Sequence, residues 1–287
     1  MRARTILTDP GIDDLVALAL LHKLAPTAKN HLVSTFGNAA EKITAINAKE
    51  FIAFAAPHWK FVSGASKPFS GSVERPWPDY FHGSDATWGV HPKVAIEGVK
   101  VVTSYPAGHV LSLGPLTEAA GLLERTISKM TVMGGAYNIR GNESLYAETN
   151  IAFDPDAAKY FFANVPKDSV SIVPLDITRK AQWSKKQISQ IPEKDEVNIW
   201  LKTLLQTWFE RYNHEREENF NLHDPLAVWL DFYPEQAIWL KSGVDVVLES
   251  NKRGETILND SNPSCAIALD LIKPKNISKE IFSAIFD

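Results

Sequence analysis

The sequence is poor in cysteine and has no long apolar stretch. Its single cysteine, Cys265, leaves no partner for an internal disulfide, which excludes the disulfide-rich class of small secreted proteins. No apolar run reaches the roughly 18 residues that a membrane helix needs, and no apolar leader with a small-residue cleavage site opens the chain. These absences predict a soluble, cytoplasmic protein that does not bind membranes.

An excess of one charge is also absent. The chain has 30 Lys and Arg residues against 34 Asp and Glu residues, a net charge of −4, and no block of basic residues. Nucleic acids and anionic membranes are bound through clustered Lys and Arg. The sequence therefore predicts no nucleic-acid partner and leaves a small molecule as the expected ligand.

Several catalytic motifs are missing as well. No glycine-rich phosphate loop of the form G-x-x-x-x-G-K-[ST] or G-x-G-x-x-G follows a predicted strand, which excludes the common nucleotide-phosphate cradles. No G-x-S-x-G elbow is present, so covalent serine catalysis of the α/β-hydrolase type is excluded. The eight histidines show no His-Glu-x-x-His spacing, which argues against a zinc hydrolase.

What is present is a regular alternation of short β-rich runs with helical patterns over the first 175 of the 287 residues. It predicts an α/β fold in which a single open, mainly parallel sheet carries helices on both faces. The predicted strands are residues 5–8, 31–36, 59–63, 109–113, 129–133 and 169–175, and the predicted helices are residues 15–24, 43–55, 115–125 and 155–163. Because no Ser/Gly-rich linker interrupts the chain, residues 1–287 are predicted to form one domain.

The last third of the chain has a different pattern. Residues 194–216 are aromatic and charged at helical spacing, which predicts a helix or a helix pair. Residues 244–248, 255–258 and 265–270 then predict a small C-terminal antiparallel element. A terminal helix is predicted over residues 279–286.

Three carboxylates, Asp9, Asp13 and Asp14, follow the first predicted strand within six residues. In open α/β sheets, ligands bind at the carboxyl ends of the strands. One interpretation is structural, with Asp13 capping the next helix and Asp14 interacting with its dipole. That interpretation leaves Asp9 unexplained, whereas grouped carboxylates suit a hard cation such as Ca²⁺ or Mg²⁺. The segment therefore predicts a metal site.

Further polar residues follow later strands. Asn38 comes after the second strand, and three more side chains follow the fifth: Asn142, Glu148 and Asn150. Amides and carboxylates suit sugar hydroxyls, which both donate and accept hydrogen bonds; a solvated polar loop is the alternative. His223 and Asp224 precede an apolar helix, where Asp224 suits a helix cap and His223 suits acid–base chemistry.

The longest irregular segment, residues 64–89, is rich in proline and in aromatic side chains: Trp77, Tyr80, Phe81 and Trp88. A loop of this length inside a compact domain is usually functional. The rings suit stacking on a planar ligand, and they equally suit fastening the segment to the protein body. Both interpretations stay open at the level of the sequence.

Taken in chain order, these motifs resemble those of the calcium-dependent nucleoside hydrolases, the inosine-uridine-preferring family. The family pattern D-x-D-P-G-x-D-D is matched by residues 7–14, its T-x-x-G-N segment by residues 34–38, and its His-Gly pair by residues 82–83. A G-P-L-T segment follows at 114–117, the M-G-G…D-P-x-A-A block at 133–158 and H-D-P at 223–225. The matches run from residue 5 to about 230, and the C-terminal fifth adds little.

The resemblance implies a bound Ca²⁺ ion. Its ligands would be the side chains of Asp9, Asp14 and Asp224 and the backbone carbonyl of Leu113, completed by one water and by the 2′- and 3′-hydroxyls of a nucleoside. Asp9 would take a proton from the calcium-bound water, which attacks the N-glycosidic bond. The implied reaction converts a ribonucleoside and water into free base and ribose, in nucleoside catabolism and purine or pyrimidine salvage.

The resemblance also implies the substrate contacts. The residues implied to hold the ribose are Asp13, Asn38, Met133, Asn142, Glu148 and Asn150. His82 and His223 would line the base side, with His223 placed to protonate or orient the leaving base, unless it merely caps its helix. Relatives are usually dimers or tetramers, which implies a homodimer or homotetramer.

Three positions depart from the family pattern. Leu7 stands where the family has its first Asp, residues 84–89 lack the usual Gly-rich form, and Thr149 replaces an aromatic residue. The last two concern the sugar and base pockets, so the preferred base stays open. A relative that binds a nucleoside or ribose without catalysis is the second hypothesis. An aspartyl-phosphate phosphatase is the third, and Gly11 disfavours it because that chemistry wants a second Asp there.

Overall fold

The computed structural model describes residues 3–71, 76–212 and 219–287. The strands in these ranges are β1 (Thr5–Thr8), β2 (His31–Ser34), β3 (Lys60–Ser63), β4 (His109–Ser112), β5 (Lys129–Met133), β6 (Val170–Val173), β7 (Gln182–Trp183), β8 (Phe220–Asn221), β9 (Ala237–Val246), β10 (Thr256–Asn259) and β11 (Cys265–Leu271). The α-helices are α1 (Ile12–Leu24), α2 (Glu41–Ala55), α3 (Asp79–His82), α4 (Thr117–Gly121), α5 (Thr149–Phe153), α6 (Pro155–Asn164), α7 (Leu175–Thr178), α8 (Lys185–Ser189), α9 (Glu196–Arg211), α10 (His223–Phe232) and α11 (Pro274–Phe286).

A nine-stranded sheet in the order β10-β9-β11-β6-β5-β4-β1-β2-β3 forms the centre of the fold. All pairs from β11 to β3 are parallel, which confirms the predicted mainly parallel sheet. The C-terminal strands are antiparallel to one another as predicted, but they extend the main sheet because β11 pairs with β6. This pairing covers a β6 edge that would otherwise expose backbone hydrogen-bonding groups. A separate two-stranded sheet, β7-β8, was not predicted.

Helices cover both faces of this sheet, as predicted. Successive strand residues point to opposite faces, and accordingly the fully buried Ile6 and Leu7 belong to two different apolar clusters. The cluster around Ile6 includes residues of α1, α9, α10 and α11, and the cluster around Leu7 includes residues of α4 and α6. Helix α1 is buried from Ile12 to Leu21, consistent with its all-round apolar sequence. None of the helices in the described ranges is long and apolar enough to cross a membrane.

The element boundaries differ from the prediction at several points. The predicted helix over 115–125 is reduced to the five-residue α4. Helix α9 ends at Arg211, and residues 213–216 of the helix predicted over 194–216 lie outside the described residues. The terminal helix begins earlier than predicted because Pro274 occupies its first turn, where a missing N–H is tolerated. The irregular segment 64–89 contains α3, and its residues 72–75 lie outside the described ranges.

A buried ion-pair network fastens α10 to the amino ends of the central strands. The Asp231 carboxylate accepts hydrogen bonds from Arg4 Nε at 2.9 Å and Thr131 Oγ1 at 2.9 Å. His109 Nε2 lies 2.9 Å and Lys129 Nζ 2.8 Å from the same carboxylate. Burial by itself would raise the pKa of Asp231, but the contacts with His109 and Lys129 hold that pKa below its usual value. The ionised form is therefore the one that folding stabilises.

Replacing Asp231 with asparagine is expected to lower the free energy of unfolding by about 3–5 kcal/mol, because Arg4 and Lys129 lose a buried counter-charge. Urea denaturation at pH 7 measures the effect. Since the pKa of Asp231 is lower in the folded state, its contribution is present above about pH 4 and is lost as the pH falls further. Asp270→Asn is the control, since the exposed Lys180–Asp270 pair should contribute about 0–1 kcal/mol. An equally small loss in Asp231→Asn would contradict this assignment.

Candidate active site

A cavity of about 340 Å³ opens at the carboxyl ends of the parallel strands. It is the place where ligands bind in open α/β sheets. Of the residues singled out in the sequence, the cavity is lined by Asp9, Asp13, Asn38, His82, Leu113, Met133, Asn142, Glu148, Asn150, His223 and Asp224. Asp14 does not line it, but its carboxylate lies directly behind, bonded to Asn38. Motifs spread from residue 9 to residue 224 thus meet around one cavity.

The carboxylates form a tight buried cluster at this cavity. Ligand oxygens of Asp13, Asp14 and Asp224 all lie within 4.8 Å of one another, a spacing that suits one metal ion. Asp13 and Asp14 come from the first turn of α1, and Asp224 from the first turn of α10. Asp9 follows β1 and is buried beside them. This geometric group contains Asp13, whereas the resemblance implies Asp9 as the third carboxylate ligand, so the ligand set stays a prediction.

The electrostatics of the cluster favour a bound cation. Burial, followed by the charge of Asp14, raises the pKa of Asp9 well above its usual value and that of Asp13 to about 8. Burial and the neighbouring Asp14 raise the pKa of Asp224 as well. No Lys or Arg among the described residues forms an ion pair with any of these carboxylates. The donor set, all oxygen and without a protein counter-charge, therefore fits a hard divalent cation.

Asp9 is held in one position by its neighbours. Its Oδ2 accepts a hydrogen bond from the Asn38 backbone N–H at 2.7 Å. A Cβ at Gly37 would come within 2.0 Å of Asp9 Oδ2, and a Cβ at Gly114 within 2.5 Å of Oδ1. Both positions therefore require glycine for the close approach of this carboxylate.

Asp14 has a role that the sequence predicted only in part. Its Oδ2 accepts hydrogen bonds from the Gly11 backbone N–H at 3.0 Å and from Asn38 Nδ2 at 2.9 Å, and its Oδ1 from the Thr8 hydroxyl. The structural interpretation placed the helix cap at Asp13. Asp14 instead satisfies the free N–H at the start of α1, so Asp13 remains available to face the cavity.

Asn150 ties two strand ends together at the cavity. Its Nδ2 donates to the Leu113 carbonyl at 2.7 Å and to the Met133 carbonyl at 3.2 Å. The carbonyl oxygen of Leu113 has two lone pairs, and Asn150 uses one of them. The other lone pair is available for the metal contact that the resemblance implies.

Glu148 and Asn142 form the polar side of the cavity. Glu148 is the N-cap of α5 and accepts from the backbone N–H groups of Asn150 at 2.9 Å and Gly135 at 3.1 Å. It is only 2% exposed, so it does not belong to a solvated loop, which was the alternative. Asn142 is exposed at the cavity mouth, and its Oδ1 accepts from the Thr149 N–H at 3.0 Å. The amide Nδ2 of Asn142 is thereby left to donate to a ligand.

The two histidines of the cavity are neutral. Burial lowers the pKa of His82 to about 3. Its Nδ1 accepts a hydrogen bond from the Ile12 backbone N–H at 3.2 Å. The proton of His82 is therefore on Nε2. Burial, followed by the charge of Arg179, lowers the pKa of His223 to about 3, and its Nδ1 lies 2.7 Å from Thr178 Oγ1. Both rings can orient a ligand by hydrogen bonding without carrying a charge.

The aromatic residues of segment 64–89 divide between the two interpretations. Trp77 stacks on Phe153 at a centroid distance of 5.9 Å and an interplanar angle of 9°, and Trp88 Nε1 donates to the Phe81 carbonyl at 2.9 Å. Trp77 therefore fastens the segment to α5, and Trp88 packs against the apolar cluster around Ile6. Tyr80 and Phe81 instead line the cavity.

Four lining residues were missed by the sequence reasoning: Arg179, Trp208, Tyr212 and Asn221. None of them directly follows a strand of the main sheet, the position at which ligands are expected in open α/β sheets. Phe81 lies 5.4 Å from Trp208 and 4.6 Å from Tyr212 between ring centroids, and together they form one aromatic wall. The available signal was the spacing of four between Trp208 of α9 and Tyr212, the residue directly after α9, because residues four apart on a helix lie on the same side.

The segment that departs from the family pattern is fastened to α2. Asp85 accepts from the backbone N–H groups of Thr87 at 3.0 Å and Gly89 at 2.9 Å. His91 bridges Asp85 at 3.1 Å and Glu50 at 2.7 Å, and the hydrogen bond that it donates to the Glu50 carboxylate raises the pKa of His91 to about 9. A charged His91 therefore holds this segment next to the cavity at neutral pH.

The sequence is similar to those of known nucleoside hydrolases. Residues 5–278 match the profile of the inosine-uridine preferring nucleoside hydrolases. A probable uridine nucleosidase 1 of Oryza sativa subsp. japonica is 29% identical over 275 residues, covering 88% of this chain and 83% of the relative. The non-specific ribonucleoside hydrolase RihC of Salmonella agona is 31% identical over 251 residues, covering 78% and 76%.

The fold has solved counterparts as well. The purine-preferring ribonucleoside hydrolase from Gardnerella vaginalis superposes with a TM-score of 0.86 at 23% identity, covering 99% of this chain and 98% of that one. The profile match and the relatives confirm the family that the order of the motifs predicted, and with it the assignment as a hydrolase. The chain belongs to the inosine-uridine preferring nucleoside hydrolase family.

Proposed function

We propose that this protein hydrolyses the N-glycosidic bond of ribonucleosides to free base and ribose, in a reaction that depends on Ca²⁺. The observation that carries the proposal is one cavity with buried carboxylates and an aromatic wall. The carboxylates suit a cation and a sugar, and the wall suits a planar base. Uridine is the first substrate to test, because relatives of the chain are named uridine nucleosidases.

The cation would be held by Asp9, Asp14, Asp224 and the carbonyl of Leu113, with Asp13 close enough to join them. Ca²⁺ is proposed over Mg²⁺ because it accepts six to eight oxygen ligands in flexible geometry, including bidentate carboxylates. When bound, the cation supplies positive charge that offsets the carboxylates and lowers the pKa of a nearby water. The ribose 2′- and 3′-hydroxyls would lie beside it.

Asp9 is proposed as the general base. It accepts the proton of the water that attacks C1′ of the ribose. Its carboxylate is suited to this role because it is held in one position. The Asn38 N–H donates to it, and the glycines at 37 and 114 have no side chain that would displace it. A positioned base contributes typically about 10²–10⁴-fold to the rate.

The polar side of the cavity is proposed to bind the ribose. Cleavage of the N-glycosidic bond builds positive oxocarbenium charge on the sugar, which nearby carboxylates stabilise. Glu148 and Asp13 supply that negative charge. The remaining sugar contacts are proposed for Asn38, Met133, Asn142 and Asn150.

The base is proposed to lie against the aromatic wall, between His82 and His223. The neutral imidazole of His223 supports orienting the base by a hydrogen bond rather than delivering a stored proton. His82 presents its Nε2–H to the cavity, since its Nδ1 is occupied by Ile12. This N–H of His82 donates to an acceptor atom of a base.

Release of ribose tests the proposal. Reducing sugar is measured after incubation with inosine, adenosine, uridine and cytidine, each with and without EDTA. The expected result is ribose from at least one nucleoside and none when the cation is chelated. A protein that binds nucleosides but releases no ribose under any condition would instead be the non-catalytic relative.

The number of domains and the location are proposed from the sequence, and the assembly from the family resemblance. We infer a single domain, a homodimer or homotetramer, and a cytoplasmic role in nucleoside salvage. Closed symmetric assemblies of this kind are the commonest among soluble enzymes. Light scattering coupled to size exclusion gives the assembly mass, and a mass equal to the 31.9 kDa chain would contradict it.

A further inference from the structure

Arg179 brings a cationic side chain to an otherwise acidic cavity. Among the described residues that line the cavity, it is the one with a fixed positive charge. Its guanidinium has five N–H donors. The structure gives it one hydrogen bond, from Nη2 to the Gly141 carbonyl at 3.3 Å. Most of its donor capacity is therefore free for a ligand.

Other arginines of the protein are used differently. Arg4 pairs with the buried Asp231, and Arg253 pairs with Asp156. Arg179 has no carboxylate within ion-pair distance in the described part of the chain, although acidic side chains line the same cavity. A half-buried guanidinium without a protein counter-ion is suited to negative charge on a bound molecule.

Backbone pairing places Arg179 next to His223. The Leu222 N–H donates to the Ala181 carbonyl at 2.9 Å, and Gln182 pairs with Asn221 in the β7–β8 sheet. Thr178, directly before Arg179, contacts the His223 ring at 2.7 Å. The segment that carries Arg179 thus runs alongside the one that carries His223, on the side where the proposed function places the base.

We propose that Arg179 stabilises the negative charge that the departing base acquires, most strongly where a carbonyl oxygen of the base carries that charge. This inference rests on the proposed hydrolase function. When the C1′–N bond breaks, its electron pair stays on the base nitrogen and spreads to the carbonyl oxygens. The water oxygen bonds to C1′, and Asp9 takes the water proton. That proton returns to the base through solvent, so the sum is hydrolysis.

The charge of the cavity favours this role over recognition of a substrate phosphate. Asp9, Asp13, Glu148 and Asp224 all line the cavity, and their carboxylates would repel a phosphate dianion throughout binding. Negative charge on the base develops only as the bond breaks. A preorganised cation aimed at developing charge raises kcat rather than ground-state affinity.

Two substrates with different leaving groups separate this role from a structural one. Uridine needs stabilisation of its departing base, whereas p-nitrophenyl β-D-ribofuranoside releases an already stable phenolate. For Arg179→Met we expect kcat with uridine to fall by about 10²-fold, the usual effect of removing one such electrostatic contact. We expect kcat with the nitrophenyl riboside to stay near wild type.

Two further variants complete the experiment. Arg179→Lys keeps the charge and should recover part of the uridine rate. Arg125→Met is the control, since exposed Arg125 donates to the Tyr105 carbonyl away from the cavity, and it should leave both rates unchanged. The ratio of the two rates on one preparation is the readout, because loss of folded protein lowers both equally.

The outcomes are distinct. A large fall with uridine alone supports the role of Arg179 on the leaving group. An equal fall with both substrates, or no fall with uridine, overturns it and leaves the hydrolase function standing. A wild-type protein that cleaves neither the nitrophenyl riboside nor any of the four nucleosides overturns both proposals.

Discussion

Replacing Asp9 with asparagine is expected to lower kcat for ribose release by about 10²–10⁴-fold, the usual contribution of a positioned general base. Asparagine has nearly the same shape, so its side-chain oxygen can still accept the Asn38 N–H that holds position 9. It cannot accept a proton from the attacking water. The loss should therefore appear in kcat, with the fold intact by circular dichroism.

Asp245→Asn is the matched control for this experiment. Asp245 is exposed on β9, accepts from Asn259 Nδ2 at 2.9 Å and does not line the cavity. It should keep the wild-type rate. Wild-type kcat in Asp9→Asn would contradict the proposed role of Asp9, whatever the state of the control.

The second large effect is expected in thermal stability, measured with and without Ca²⁺ between pH 5 and pH 8. Burial, followed by the charge of Asp14, raises the pKa of Asp13 to about 8, and burial raises that of Asp224 too. A carboxyl with a raised folded-state pKa stabilises the fold below its unfolded pKa near 4 and loses that contribution as the pH rises to its folded pKa. The metal-free protein should therefore be less stable at pH 8 than at pH 5.

Ca²⁺ should reverse this loss, because its ligands must be ionised to bind. The rise in Tm on adding Ca²⁺ is then larger at pH 8 than at pH 5. A pKa difference of one corresponds to about 1.4 kcal/mol, and about 1 kcal/mol shifts the Tm of a large domain by about 2–4 °C. With these conversions, we expect the addition of Ca²⁺ at pH 8 to raise the Tm by at least about 5 °C.

In the metal-free protein, the substitution Asp224→Asn is expected to raise the Tm rather than lower it. Removing one of four mutually repelling carboxylates should raise its Tm in EDTA at pH 8 and abolish the response to Ca²⁺. Scanning calorimetry of both proteins measures the two differences. If Ca²⁺ raised the Tm of Asp224→Asn as much as that of wild type, the carboxylate cluster would not be the cation site.

Most of the polar site could be predicted because its signal is local. Asp9 and Asp14 lie next to β1, and Asn38 lies next to β2. Parallel strands bring their carboxyl ends to one edge, so residues that follow separate strands meet there without any knowledge of side-chain packing. Asn150 was predicted as a polar residue of the loop after the fifth strand, and the structure shows that it donates to the carbonyls of Leu113 and Met133 at two strand ends.

The base side of the cavity could not be predicted in this way. Arg179 follows the short α7, and Trp208 lies on α9, so their positions depend on how these helices pack over the sheet. A large ring at helical spacing has the same pattern whether it faces a core or a cavity. The role of Asp14 at the Gly11 N–H was likewise hidden, because Asp13 is an equally good cap by residue type.

The C-terminal strands show a limit of a different kind. Their antiparallel pairing was predicted from short alternating runs, but the parallel pairing of β11 with β6 joins residues 265 and 170. Nothing local in either segment specifies that partner. The pairing forms because the free edge of β6 would otherwise expose unpaired backbone N–H and C=O groups once the rest of the sheet has formed.

The proposed dependence of hydrolysis on Ca²⁺ is tested most directly by measuring ribose release and Ca²⁺ binding on the same preparation. Protein stripped with EDTA and freed of chelator is titrated with Ca²⁺, and reducing sugar from uridine is followed at each concentration. Calorimetry gives the Kd for Ca²⁺ in parallel. We expect no ribose release from the stripped protein, and recovery of release with a midpoint equal to that Kd. Undiminished ribose release from the stripped protein would contradict this dependence.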